Sequence, residues 1–499
     1  MSEPCDLTAL AARALIGRKA ISPVELLESC IARTQAVNHA VNAVVAPDFD
    51  RARIAAKAAE QAVLRGEALG ALHGLPFGVK DLESTAGLRT TFGSVIFKDN
   101  VPDADEGTVA RLRAAGGIVF GKTNTPEFGA GANTRNAVYG ATGNPFDPTR
   151  SAAGSSGGSA VALATGMVPL ATGSDMGGSL RNPAAFCGIV GFRPTPGLVP
   201  AESHLFGWSP LSVNGPMARN VADLCLMLSA MIGDDCRDPL ATTIFGKQVR
   251  QPADFHPVGA CDLSRLRVAV TPDFGFAPTE RIVRDAFAAK VATFRHVFAH
   301  AEDAAPDCAG ADDAFAVLRA TGFLAAHGEK VRERPQDVGP NVRGNVAEGA
   351  TYSAADVAHA LAVQTALYRR WQSFFATRDV IISPAITISP RPWTELFPRQ
   401  IDGVATSSYF HWLALAYAVT LPGHPAVCLP VGRDAAGMPF GLQIVGPRGG
   451  DAFVLSVAAA LERLLADDSA TARPVPDLGR LRAAGPISAM PGFMGFGED

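Results

Sequence analysis

Residues 150–194 read RSAAGSSGGSAVALATGMVPLATGSDMGGSLRNPAAFCGIVGFRP. This stretch holds two glycine-flanked serine loops, AGSSGGS and GSDMGGS, joined by a segment of small residues. A lysine lies upstream in the glycine-rich turn GLPFGVKD, at Lys80. Two serines and a lysine in such loops offer a route to a nucleophilic serine that needs no histidine. The lysine must be neutral to act as a base, and its ordinary pKa is about 10.4. Burial without a carboxylate partner lowers that value, and the apolar turn before Lys80 is suited to burying it. Asp81 follows directly and is expected to point elsewhere.

Around this centre the chain reads as strand, loop and helix in alternation. LPFGVK, GIVFGK and VPLATGS are short strands that each run into a Gly/Ser/Thr/Asn turn. That order predicts an α/β layer architecture with its chemistry in loops at strand ends. A helix is predicted to start at Ser22, with Pro23 in its first turn, Glu25 closing a capping box and Ile21 and Leu26 forming a staple. Further helices are expected at about 48–65, 281–299 and 354–377. The Pro/Gly/Ala-rich tail from Pro474 reads as a loosely packed surface segment.

These residues resemble the amidase signature family, whose members hydrolyse or transfer amides with a Ser–Ser–Lys triad. Position by position, Lys80 matches the family's lysine, Ser155 the bridging serine and Ser179 the nucleophile. The serines are 24 positions apart, and Lys80 precedes Ser155 by 75. The likeness extends through GKTNTPEFG (121–129) and GATGNPFDPTRS (140–151), and more loosely through HPAVCLPVGRDAAGMPFGLQIVG (424–446). It implies a large mixed β-sheet covered by helices on both faces, formed by a single domain over 1–499. Within that domain the core would run over about 65–215, a variable pocket region over about 240–420 and a C-terminal return over 421–465. It also implies a cis peptide between Gly154 and Ser155.

The expected chemistry is hydrolysis of a small-molecule amide through an acyl-enzyme, with esters and carbamates of similar shape as further substrates. The backbone N–H groups of Met176, Gly177, Gly178 and Ser179 are expected to form a concave nest for the oxyanion. Asp175 and Arg181 read as an ion pair or hydrogen-bond frame that fixes this loop, with Ser156 in support. Lys122 and the buried-type Cys187 read as structural, and His424 as a turn or pocket residue. Trp208, Phe206, Tyr409, Phe410 and Trp412 are candidates for an acyl pocket. Residues that select the substrate are expected in 125–140, 200–215 and 310–425. The low charge and the aromatic residues favour an apolar or aromatic acyl group.

Two other readings compete. GSSGG also fits G-x-S-x-G with Ser156 as nucleophile of an α/β-hydrolase, although TRSAA before it is a poor strand. The glutamine-hydrolysing A subunit of a tRNA-dependent amidotransferase commonly carries a PTYGxVSRYG-like stretch. Here the chain reads PTPGLVPAESHLFG, without the arginine and tyrosine expected to help hold glutamine.

Composition narrows the rest. The 499 residues are 47% hydrophobic and only 18% charged, with net charge −4 and no Lys/Arg run. Neither nucleic acid nor a membrane surface is expected as a partner. No apolar run approaches the roughly 20 residues of a bilayer span. Eight scattered cysteines without a CxxC predict reduced thiols in a cytoplasmic protein, with no metal and no cofactor. A monomer and a homodimer both remain open.

Overall fold

The structure is a computed structural model that describes residues 3–495. Eleven strands form one mixed sheet. In chain order they are β1 (Val44–Pro47), β2 (Pro76–Lys80), β3 (Ile118–Thr123), β4 (Leu170–Asp175), β5 (Val190–Arg193), β6 (Val213–Ala218), β7 (Arg267–Val270), β8 (His300–Asp303), β9 (Val380–Pro384), β10 (Ala426–Arg433) and β11 (Pro439–Val445). Their spatial order is β1-β3-β2-β4-β6-β5-β10-β11-β9-β7-β8. β2 runs parallel to β3 and β4, and β7 runs parallel to β8 and β9. The central pairings β4–β6, β6–β5, β5–β10 and β10–β11 are antiparallel. The expected large mixed sheet is therefore present.

The three strands expected from sequence are β2, β3 and β4. Every residue of β2 and β3 is buried, as strands covered on both faces require. The segment after Ser155 explains one side of that cover. The helix Gly157–Ala164 has the sequence GGSAVALA and is buried along its whole length. Gly158 allows the close approach, because a Cβ there would stand 2.2 Å from the Asn124 backbone nitrogen.

The helix Pro23–Val41 begins as its sequence predicts. Glu25 N–H donates to Ser22 Oγ at 3.0 Å, and Ser22 N–H donates to Glu25 Oε2 at 2.7 Å. The helices Phe49–Arg65, Arg281–Phe294 and Ala354–Phe375 also match expected segments. The expected run to 299 instead closes in a short 3-10 turn over Arg295–Val297.

Sequence reading misses a long helix, Ala311–Glu333, and the strands β7 and β8. The helix carries Gly322 and Gly328 and an interrupted apolar stripe, so its period is weak. It packs against the helices Pro340–Gly349 and Ala354–Phe375.

The C-terminal segment corrects another expectation. Asp477 caps the helix Leu478–Ala483 through its own Oδ1, and Leu481 and Ile487 are buried. Ile487 packs with Ala141 and Trp393, joined by Met490 and Phe493. The Pro/Gly/Ala-rich composition hides a strap pinned by a few spaced apolar anchors. Among the described residues no helix is long and apolar enough to cross a membrane. The eight cysteines are free, with Cys187 buried.

If the tail is a pinned strap, Leu481→Ala and Ile487→Ala each destabilise the protein by about 2–5 kcal/mol, the usual cost of emptying such a site. Urea unfolding measures this, and losses near zero for both would mean the strap is loose.

Candidate active site

Lys80 is the last residue of β2, and the backbone turns away immediately after it. It is fully buried. Its Nζ donates to Ser155 Oγ at 2.7 Å and to Ser174 Oγ at 2.9 Å. Burial pulls its pKa down to about 7, against the opposing pull of Glu83 and Asp175. Asp81 faces away, where it accepts from the Thr91 backbone N–H and, at 2.5 Å, from the Thr91 hydroxyl.

Ser155 follows a cis peptide bond from Gly154, as the resemblance implies. Ser179 lies in the turn between β4 and the helix Arg181–Cys187 and is half-buried. Its carbonyl accepts from Ser156 N–H at 3.3 Å, which ties the two serine loops together. Ser155 and Ser179 line the same cavity of about 90 Å³.

The turn is held by Asp175 at the end of β4. Arg181 grips its carboxylate with two hydrogen bonds, at 2.8 and 3.0 Å, and neither side chain is exposed. Arg193 donates to the Asp175 carbonyl at 2.6 Å and approaches its carboxylate at 3.4 Å. Burial works against this carboxylate, but the two guanidiniums prevail and hold it well below the ordinary range. Burial also pulls Arg193 down to about 10. The same carboxylate accepts from Gly178 N–H at 3.0 Å and Leu180 N–H at 3.2 Å. Gly178 N–H is thus occupied, and it leaves the set of oxyanion donors expected from sequence. The N–H groups of Met176, Gly177 and Ser179 have no acceptor among the described residues. Gly178 has φ +94° and little room for a Cβ, which would meet Asn182 at 2.4 Å.

The cavity opens beside a second one of about 280 Å³, and the two share Leu82, Phe128, Ser174, Met176, Ser212 and Phe323. Phe92, Leu205, Phe206, Leu211 and Leu318 give the larger space apolar walls, while Glu83 and Glu106 reach its lining. Burial raises the pKa of both acids, and each raises or is raised by acidic neighbours. Lys122 beneath them is fully buried, with Nζ donating to the Glu83 carbonyl and, at 2.8 Å, to Thr85 Oγ1.

Of the other residues singled out, Phe206 lines the larger cavity. Trp208 is 78% exposed and lines neither cavity, while Phe410 and Trp412 belong to the core. Tyr409 is turned to Arg319 and Asn345. His424 is buried beside Trp371 and Phe375, with Nδ1 at 3.0 Å from the Gly446 carbonyl. Ser156 is buried, within 3.4 Å of the Ser174 backbone N and O, and lines neither cavity. No strand precedes it, so the hydrolase-elbow reading fails.

Sequence reasoning misses Ser174 and Arg319. Ser174 stands in the quoted loop GSDMGGS, one residue before Asp175. Arg319 lies on the helix that the sequence pattern conceals.

The chain is an amide-hydrolysing enzyme by family: it belongs to the amidase family, with residues 25–455 matching the family described as Amidase. It is similar to an acylamidase of Rhodococcus erythropolis, at 35% identity over 467 residues, covering 91% of this chain and 95% of that protein. It is also 34% identical over 492 residues to the A subunit of the glutamyl-tRNA(Gln) amidotransferase of Chloroflexus aurantiacus, covering 93% and 98%. Among solved structures, a bacterial aryl acylamidase of the amidase signature family superposes with a TM-score of 0.85 at 27% identity, covering 96% and 98%. A 6-aminohexanoate cyclic dimer hydrolase gives 0.83 at 28%, covering 96% and 100%.

Removing one member of a buried pair leaves an uncompensated charge, at a cost of about 3–5 kcal/mol. Asp175→Asn, which strands two buried guanidiniums, is expected to lower stability by that amount in denaturant unfolding. A loss under about 1 kcal/mol would show that the loop does not depend on the pair.

Proposed function

We propose that the protein is an acylamidase that cleaves amides with an apolar or aryl substituent, using Ser179 as nucleophile, Ser155 as proton bridge and Lys80 as base. The observation that carries this reading is the fully buried Lys80 Nζ, 2.7 Å from Ser155 Oγ, in the wall of a cavity that Ser179 also lines. In the neutral form, the lysine lone pair accepts the Ser155 proton while Ser155 takes the proton of Ser179. Ser179 Oγ then attacks the carbonyl carbon and the C=O pair moves to oxygen. The N–H groups of Met176, Gly177 and Ser179 receive that oxyanion, a role such preorganised donors fill in other hydrolases. Collapse breaks the C–N bond, and the proton returns through Ser155 to the leaving nitrogen. Water repeats the sequence on the acyl-enzyme and releases the acid. Esters and carbamates of similar shape enter the same cycle.

The larger cavity supports the substrate class. An apolar space of about 150 Å³ takes up benzene, so about 280 Å³ walled by Phe92, Leu211 and Phe323 accepts an aryl group with a short linker.

The similarity to amidotransferase A subunits favours a second reading, in which glutamine is hydrolysed beside a partner protein. The stretch PTPGLVPAESHLFG, without the expected arginine and tyrosine, weighs against it. Glutaminase activity that appears only with an added partner would support it.

A panel of para-nitroanilides, from acetyl to aryl, tests the main reading. Wild type is expected to cleave some of them, and Ser179→Ala and Lys80→Ala to lose at least about a thousandfold in kcat/KM, the scale for a nucleophile or its base. Either variant retaining wild-type turnover would remove that residue from the mechanism. The base works only unprotonated, so kcat/KM is expected to rise with pH through about 7, the value to which burial brings Lys80, and then to level off. A rate that falls across that range would contradict a lysine base.

A further inference from the structure

Arg319 is 5% exposed, yet it lines the small cavity that also holds Ser155, Ser179 and Gly177. A buried charge is normally paired. Among the described residues no carboxylate lies within ion-pair distance of this guanidinium. Its Nε donates to Asn345 Oδ1 at 3.0 Å, one terminal nitrogen meets the Tyr409 hydroxyl, and the other finds only the Met176 sulfur at 3.8 Å. The rings of Phe323, Tyr409 and Phe410 stand 4.7, 5.1 and 5.5 Å from its centre. They soften the burial without supplying a counter-charge. Glu348 is the acid that acts on it, from beyond contact, and it accepts a hydrogen bond from Tyr352 instead. Burial brings Arg319 down to about 9, so it stays charged at neutral pH.

The acids near the site are elsewhere. Among the described residues no aspartate or glutamate lines the small cavity, whereas Glu83 and Glu106 line the larger one. An anion is therefore drawn to the Arg319 end, while the buried acids of the other end are held toward their neutral form. Guanidinium suits a carboxylate because its planar fork matches the two oxygens.

We infer that Arg319 is the seat for a substrate carboxylate, and that the preferred amide carries a carboxylate a short spacer away from the scissile carbonyl, with its apolar arm in the larger cavity. A volume of about 90 Å³ shared by Ser179 and Arg319 limits the spacer to a few atoms. The inference rests on the Ser179 reading of the cavity and adds the charge of the substrate to it.

The test compares two substrates of like shape, the succinyl mono-para-nitroanilide and its uncharged counterpart, 4-methylpentanoyl para-nitroanilide. Binding of each is measured by calorimetry to Ser179→Ala, alone and combined with Arg319→Lys or Arg319→Leu. Turnover of each is measured in wild type and in the single Arg319 variants. The succinyl compound is expected to bind at least about tenfold tighter when Arg319 is present, to lose most of that margin in Arg319→Lys and to become the weaker ligand in Arg319→Leu. The change should appear in KM more than in kcat, with turnover of the neutral compound kept within a few-fold.

Equal binding of the two compounds to the protein bearing Arg319 would overturn the inference, and this outcome needs no variant that folds. Equal loss of both compounds in kcat on changing Arg319 would also overturn it, since the residue would then act at the reacting centre. A binding preference without wild-type turnover would leave the carboxylate seat standing and sink the acylamidase reading. Turnover without a preference would do the reverse.

Discussion

The turn that carries Ser179 depends on the buried contact between Asp175 and Arg181. A fully desolvated ion pair is rarely a large source of stability, because its attraction is spent on dehydrating the charges. Its value here is positional. The carboxylate holds Gly178 N–H and Leu180 N–H on either side of Ser179, so the turn has one shape. The guanidinium in turn reaches Gln443, Thr420 and the Ala416 carbonyl. One pair of charges thus fixes the loop to β4 below it and to the C-terminal strand hairpin beside it. The same carboxylate uses up Gly178 N–H, a backbone donor that the sequence reading assigns to the oxyanion.

The site is built by contrast of environment. Lys80 and Lys122 are both fully buried lysines at the ends of neighbouring strands. Lys122 is spent on the Glu83 carbonyl and Thr85 and sits among Asp81, Glu83 and Glu106. Lys80 Nζ donates to the hydroxyls of Ser155 and Ser174. Sequence alone separates the two through their flanking motifs, while the structure gives the physical ground for the difference.

Much of this is legible in the chain. The capping box at Ser22, the strands ending at Lys80 and Asp175, and the pairing of Asp175 with Arg181 all rest on local signals that survive folding. What the sequence conceals depends on contacts between distant segments. Arg319 looks like any surface arginine on an alanine-rich helix, and only tertiary packing shows that it is buried without a carboxylate partner. The aromatic residues around 409–412 share a composition with pocket walls, but Phe410 and Trp412 are committed to the core. The strap beyond Pro474 reads as loose because its two anchors are separated by residues that favour no regular structure.

The placement of β10 and β11 has a consequence for synthesis. These strands occupy the middle of the sheet, with β10 against β5 and β11 against β9, yet they leave the ribosome long after β5. Domains generally fold as units during synthesis, and here the partners of Arg181 at Thr420 and Gln443 arrive long after the loop they hold. A nascent chain that has released Lys80, Ser155 and Ser179 still lacks the groups that hold Arg181. The turn around Ser179 is therefore completed only once segments 239 and 262 residues beyond Arg181 have been made.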